Sequence, residues 1–90
     1  MRHMRTDYDV IQDPGAPGRS RIKDDEPVLL IRGQDLAAPA TAHAYAAAAE
    51  ALGTDPAVCD AVREWAEEIT AWQESSGLGK IADVPEGVLR

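Results

Sequence analysis

Phenylalanine is absent from this 90-residue chain, cysteine occurs once, and two Trp and two Tyr are the whole aromatic complement. A single cysteine excludes an intramolecular disulfide. Cys59, His3 and His43 have neither the number nor the spacing for a zinc quartet, so no metal or other cofactor is expected. Long hydrophobic runs are missing too. The densest block, Val28-Leu29-Leu30-Ile31, falls far short of the roughly 20 residues of a membrane span, and the first residues lack the apolar stretch of a signal peptide. A soluble, cytoplasmic protein with no membrane partner is the expectation. Much of the 44% apolar fraction is alanine, which buries little surface. A domain of this size buries only about 60 to 65% of the surface its unfolded chain exposes. With disulfide and metal set aside, self-association into a homo-oligomer is the expected extra source of stability.

Positive charge is also scarce, with nine Lys and Arg against sixteen Asp and Glu, for a net charge of −7. It is unevenly placed: residues 1–23 carry five bases and three acids, residues 24–90 four bases and thirteen acids. An acidic body argues against direct nucleic-acid binding, which needs clustered Lys and Arg on phosphates. It suits a basic protein partner or mimicry of nucleic acid, and it also serves plain solubility.

What is present is organised around Asp24–Asp35, where an acidic start leads into the aliphatic run and then Arg32, Gly33, Gln34 and Asp35. Pro27 biases the residue before it to extended geometry, and β-branched residues end the run, so Val28–Ile31 reads as a short strand. The alternative is one helical turn capped by Asp25 and stopped by Gly33. Residues 1–7 show no periodicity. Tyr8–Ile11 is a brief extended candidate to pair with Val28–Ile31, and the Pro- and Gly-rich stretch Asp13–Arg21 reads as a loop.

After Asp35, Pro39 falls in the first turn of a helix expected to end at Gly53, with a stripe of Ala42, Tyr45, Ala46, Ala49 and Leu52. Thr54-Asp55-Pro56 starts a second helix, to about Glu74, expected to bury Val58, Val62, Trp65, Ala66, Ile69 and Trp72. The link is short, so the helices must lie antiparallel. Arg63 has Glu67 one turn on, worth about 0.3 to 0.5 kcal/mol at an exposed site. The tail, Lys80–Arg90, is expected to dock Ile81 and Val84 and to fray at its end. The fold class is therefore mostly α, a small α+β chain with one short strand before an antiparallel two-helix hairpin. Its domains read as a mobile leader over 1–23 and a single helical domain over 24–90.

Acid, base and nucleophile candidates are not assembled in any motif, so a non-enzymatic role is expected and no catalytic residues are assigned. His43 reads as a surface or interface side chain, Cys59 as a small packing residue, and Glu64, Glu67 and Glu68 as a solvated face. The sharpest ligand candidates are Arg32, Gln34 and Asp35, where a guanidinium and backbone N–H groups could converge on an anionic or nucleotide-like small molecule. Arg63 is a second cation such a site could use. The structural alternative has Asp35 capping the helix, Arg32 paired with Asp24, Asp25 or Asp35, and Gln34 solvated.

The segment Asp25-Glu26-Pro27-Val28-Leu29-Leu30-Ile31-Arg32-Gly33-Gln34-Asp35, with its Leu-Ala-x-Pro step, helical hairpin and late Trp, resembles a group of small bacteriophage and prophage proteins. Gly33 stands where that pattern has Ala. The resemblance implies a non-enzymatic phage product acting in the host cytoplasm against host defence. It would sequester a nucleotide-derived signal in a homo-oligomer or, alternatively, act as an acidic, anti-CRISPR-like inhibitor of a host protein.

Overall fold

A computed structural model describes residues 1–15 and 21–90. Most of the loop expected at Asp13–Arg21, residues 16–20, therefore lies outside the described residues. The chain is mostly helical, with two helices packed together and two short parallel strands. It divides into two compact units, 1–30 with 83–90, and 31–82. That division differs from the boundary at residue 23 read from composition, because the tail from Asp83 returns to the N-terminal segment.

In the first unit, β1 (Arg2–His3) pairs in parallel with β2 (Pro27–Val28). Both the strand and its partner differ from expectation. Only Pro27 and Val28 of the aliphatic region are strand, and Tyr8 closes a 3-10 turn (Thr6–Tyr8) instead of pairing. A parallel pair needs a connection of a dozen or more residues, and 23 separate His3 from Pro27. On β1 the His3 side chain is buried, its Nε2 lying 2.7 Å from the Ile11 carbonyl oxygen and its ring edge-on to Tyr8 at 6.2 Å. The segment read as a leader thus carries a strand and a buried polar side chain.

The tail corrects its expectation in the same way. Ile81 is 83% exposed, whereas the final residues are tied by backbone bonds from Thr6 to the Val88 carbonyl at 2.7 Å and from Arg90 to the Met4 carbonyl at 2.8 Å. Arg90 adds a side-chain bond from Nε to the His3 carbonyl at 2.9 Å and an ion pair with Asp9. Arg5 forks onto Asp7 at 3.0 and 2.6 Å and lies 4.4 Å over the Tyr8 ring. That hydrogen bond, ahead of the Coulomb attraction, holds the Asp7 carboxyl below its ordinary range. A depressed folded pKa means the stabilisation is whole above the ordinary carboxylate range and is lost as pH falls through the folded value. Acid titration should therefore shift the Tyr8 ring resonances as Asp7 protonates, and Asp7→Asn should abolish that step. A Tyr8 transition that survives the substitution would place its origin elsewhere.

In the second unit, α1 (Ala38–Ala51) and α2 (Pro56–Ser76) are bounded by local chemistry. Gly53 takes φ 85° and Thr54 donates to the Ala49 carbonyl at 3.0 Å, a left-handed stop for α1. Asp55 caps α2 through its Oδ1, which accepts from the Ala57 N–H at 2.9 Å, and Pro56 opens the helix. Asp55→Ala should cost about 1 kcal/mol, read as a loss of helicity on heating. Gly77, at φ 68°, ends α2 two residues beyond Glu74.

The seam between the helices is built from Ala38, Ala46, Ala49, Cys59 and Ala66, all buried. Small side chains let the two backbones approach closely, which is how an alanine-rich chain makes contact without bulk. Cys59 is a packing residue, as read. The cross-helix pairs Glu50 with Arg63 and His43 with Glu67 match earlier α1 residues to later α2 residues, so the helices are antiparallel. The two stripes are corrected. Tyr45 and Leu52 are exposed on α1, and Val58, Trp65 and Trp72 are exposed on α2. An alanine face is too narrow to cover them.

Candidate functional site

The turn between Ile31 and Ala38 is held from behind by α2. Gln73 Nε2 donates to both the Gly33 and Asp35 carbonyl oxygens, each at 2.8 Å. The Lys80 N–H donates to the Gln34 carbonyl at 2.8 Å, and the Leu36 N–H to the Lys80 carbonyl at 3.0 Å, so the backbone after α2 closes the other side. Asp35 Oδ1 accepts from the Ala37 N–H at 2.8 Å and its carbonyl from the Ala38 N–H at 2.9 Å. Asp35 thus holds the turn that precedes α1, but it does not cap the helix as its structural alternative had it: the N-cap is Ala37, with no side-chain cap bond.

Arg32 is exposed and, among the described residues, forms no ion pair with Asp24, Asp25 or Asp35. Its carbonyl accepts from the Asp35 N–H at 3.0 Å, which closes the turn. Gln34 is half-buried and contributes through its backbone. Arg32, Gln34 and Asp35 thus share one turn, and Arg63 is not part of it. It lies ten residues before Gln73 on α2, about 15 Å along the helix axis. Its guanidinium pairs with Glu50 across the seam and with Asp60 at 3.5 Å, in place of the expected partner Glu67. The Glu50 hydrogen bond, more than the Coulomb attraction, raises the Arg63 pKa. Glu67 instead lies 3.5 Å from His43 Nε2. Among the described residues, no group of three or more His, Cys, Asp and Glu could hold a metal ion. No described helix is long and apolar enough to cross a membrane.

Sequence reasoning missed two features. Gln73 stands seven residues after Ala66 and fourteen after Cys59, on the same line of α2. A polar side chain that continues a buried line is a legible signal of a bridging role. The second is the exposed apolar arc of α2. Val58, Val62, Trp65, Ile69 and Trp72 follow a four-three-four-three spacing. At 3.6 residues per turn, the apolar arc from Ala61 round to Cys59 spans about 160°, wider than one small-residue helix can cover. Cys59 and Ala66 turn to α1, while Trp65 stays 66% exposed.

Two depressions flank Trp65. One, of about 520 Å³, is walled by Ala42, Ala57, Val58, Ala61 and Val62. The other, of about 340 Å³, is walled by Ile31, Gly33, Glu68, Ile69 and Trp72. A large ring between two apolar hollows on a rigid helix is a surface suited to interdigitating with another helix. Comparison of the chain with protein-family models, with curated proteins and with solved structures gave no match.

Proposed function

We propose that this chain is a non-enzymatic binding module that engages another protein through the exposed apolar face of α2. The supporting observation is Trp65, two-thirds exposed at the junction of two apolar depressions, with Trp72 one heptad further along the same face. Aromatic anchors of this kind dominate the energetics of interfaces, and an exposed stripe of helical period is the form that helix-in-groove recognition takes. In the setting implied by the phage resemblance, the partner would be a host defence protein. The test is selection of a helical peptide library on the immobilised chain, with a Trp65→Ala, Trp72→Ala double variant as control. Peptides with an apolar stripe should be enriched on the wild type and lost on the variant, whose helical circular dichroism should be unchanged. Equal enrichment on both proteins overturns the reading.

A second reading is favoured by Arg32, exposed and without an ion-pair partner among the described residues, whose chain neighbours Ile31 and Gly33 wall the depression beside Trp65 and Trp72. Indole rings can stack on a base while a guanidinium grips phosphate, so sequestration of a nucleotide-derived signal fits the same end of α2. Under it, cyclic or ADP-ribose-derived nucleotides should raise the melting temperature of the wild type, and Arg32→Lys should weaken binding about tenfold or more through loss of the planar fork. No stabilisation by any nucleotide sinks this reading. Stabilisation of both proteins alike moves the site away from Arg32.

A further inference from the structure

Resting on the protein-binding reading, we propose that the occupant of the α2 face is a cationic amphipathic helix of another protein, with an apolar stripe for Trp65 and Trp72 and Lys or Arg along one edge. The apolar arc has two different borders. On one side α1 runs alongside, and Ala42 joins the wall of the larger depression. On the other, Glu64 and Glu68 stand on successive turns of α2, both exposed, and Glu68 lines the smaller depression with Trp65 and Trp72. One turn separates the two carboxylates, about 6 Å along the axis. A helix laid on the stripe therefore brings its flanking side chains against this pair of acids.

Charge decides between occupants. A carboxylate moved toward a dry interface is costly unless it is paired. A second copy of this chain would supply no such partner from α2. The only cation on that helix, Arg63, is already held by Glu50 and Asp60 on the flank turned toward α1. The rest of the charged set on α2 is acidic, namely Asp60, Glu64, Glu67, Glu68 and Glu74. Two copies packed antiparallel on this face would set the Glu64 and Glu68 edge of one against the same edge of the other. An anionic membrane surface is disfavoured for the same reason. A helix with two cations three or four residues apart satisfies both acids while its apolar side chains enter the hollows on either side of Trp65. The acidic edge then selects the partner's sign and orientation, and the indoles supply the contact area.

Three designed helical peptides test this. They share a four-three-four-three apolar stripe and differ only at the edge positions, which are Lys, Gln or Glu. Binding to the full chain is read by Trp emission. The Lys peptide should bind about tenfold or more tightly than the Glu peptide at low salt, with the Gln peptide between them, and the difference should shrink at high ionic strength. Glu64→Gln with Glu68→Gln should bring the Lys and Glu peptides nearly level without loss of helicity. Equal binding of all three to the wild type overturns the inference about charge and leaves the protein-binding reading standing. Failure of all three overturns both. Light scattering on the chain alone supplies the remaining arm: a concentration-dependent dimer with blue-shifted Trp emission, lost in Trp65→Ala, overturns the proposal in favour of a second copy.

Discussion

Ala66→Leu should lower the stability of the helical pair by about 2 to 3 kcal/mol, the upper range for inserting bulk into a packed seam. Ala66 is wholly buried, as is Ala46 on α1, and the seam consists of small side chains on both helices. The side chain directly buried with it leaves no room, so three added carbon atoms must push the backbones apart. Leucine is also a good helix former, and its intrinsic propensity differs little from that of alanine. A loss of stability would therefore report on packing between helices and not on α2 itself. For a domain below 100 residues, such a change corresponds to roughly 8 to 24 °C in melting temperature. Thermal denaturation followed by helical circular dichroism measures it. Wild-type melting in Ala66→Leu would mean that the helices do not rely on close approach. The same change at Ala57, on the exposed side of α2, should cost little and serves as the control.

Gln73→Leu should cost about 1 to 2 kcal/mol, from the Gly33 carbonyl losing the amide that donates to it and the Asp35 carbonyl keeping only the Ala38 N–H. The side-chain amide spans the Gly33 and Asp35 oxygens at 2.8 Å each, so one residue on α2 positions the whole turn that carries Arg32. Leucine keeps the volume and removes both donors. Gln73→Glu should be at least as damaging at neutral pH, because a carboxylate facing two carbonyl oxygens must swing away. Amide exchange separates this from a global effect: the Asp35 and Leu36 amides should exchange faster while those of Cys59–Arg63 keep their protection. Uniform acceleration throughout both helices would show that Gln73 supports the pair as a whole instead of the turn. The nucleotide reading makes a linked demand, since a turn loosened in this way should also bind more weakly.

Helix limits were readable because their causes are local. Asp55 before Pro56 starts α2, and the glycine at 53 takes the left-handed conformation that ends α1. These signals need no knowledge of the rest of the molecule. The turn at Asp35 was readable in part, since an aspartate side chain can accept from the backbone two residues on, as it does here from Ala37, without capping the helix. That Gln73 bridges was legible from its place on the buried line of α2, but its partner was not, because the contact spans 40 residues to Gly33. The strand pairing lies further still from sequence patterns. Two-residue strands have no period, and Arg2–His3 meets Pro27–Val28 because the intervening chain can loop back and the tail bonds to Met4 and Thr6.

The apolar character of α2 was determined by the sequence alone, down to the spacing of Val58, Val62, Trp65, Ile69 and Trp72. Which part of that arc would be covered was decided only by the tertiary structure. Periodicity records how many apolar side chains a helix carries, not the width of the neighbour that meets them. Here the neighbour is an alanine face that closes tightly on Cys59 and Ala66 and reaches no further, so the two indoles remain at the surface.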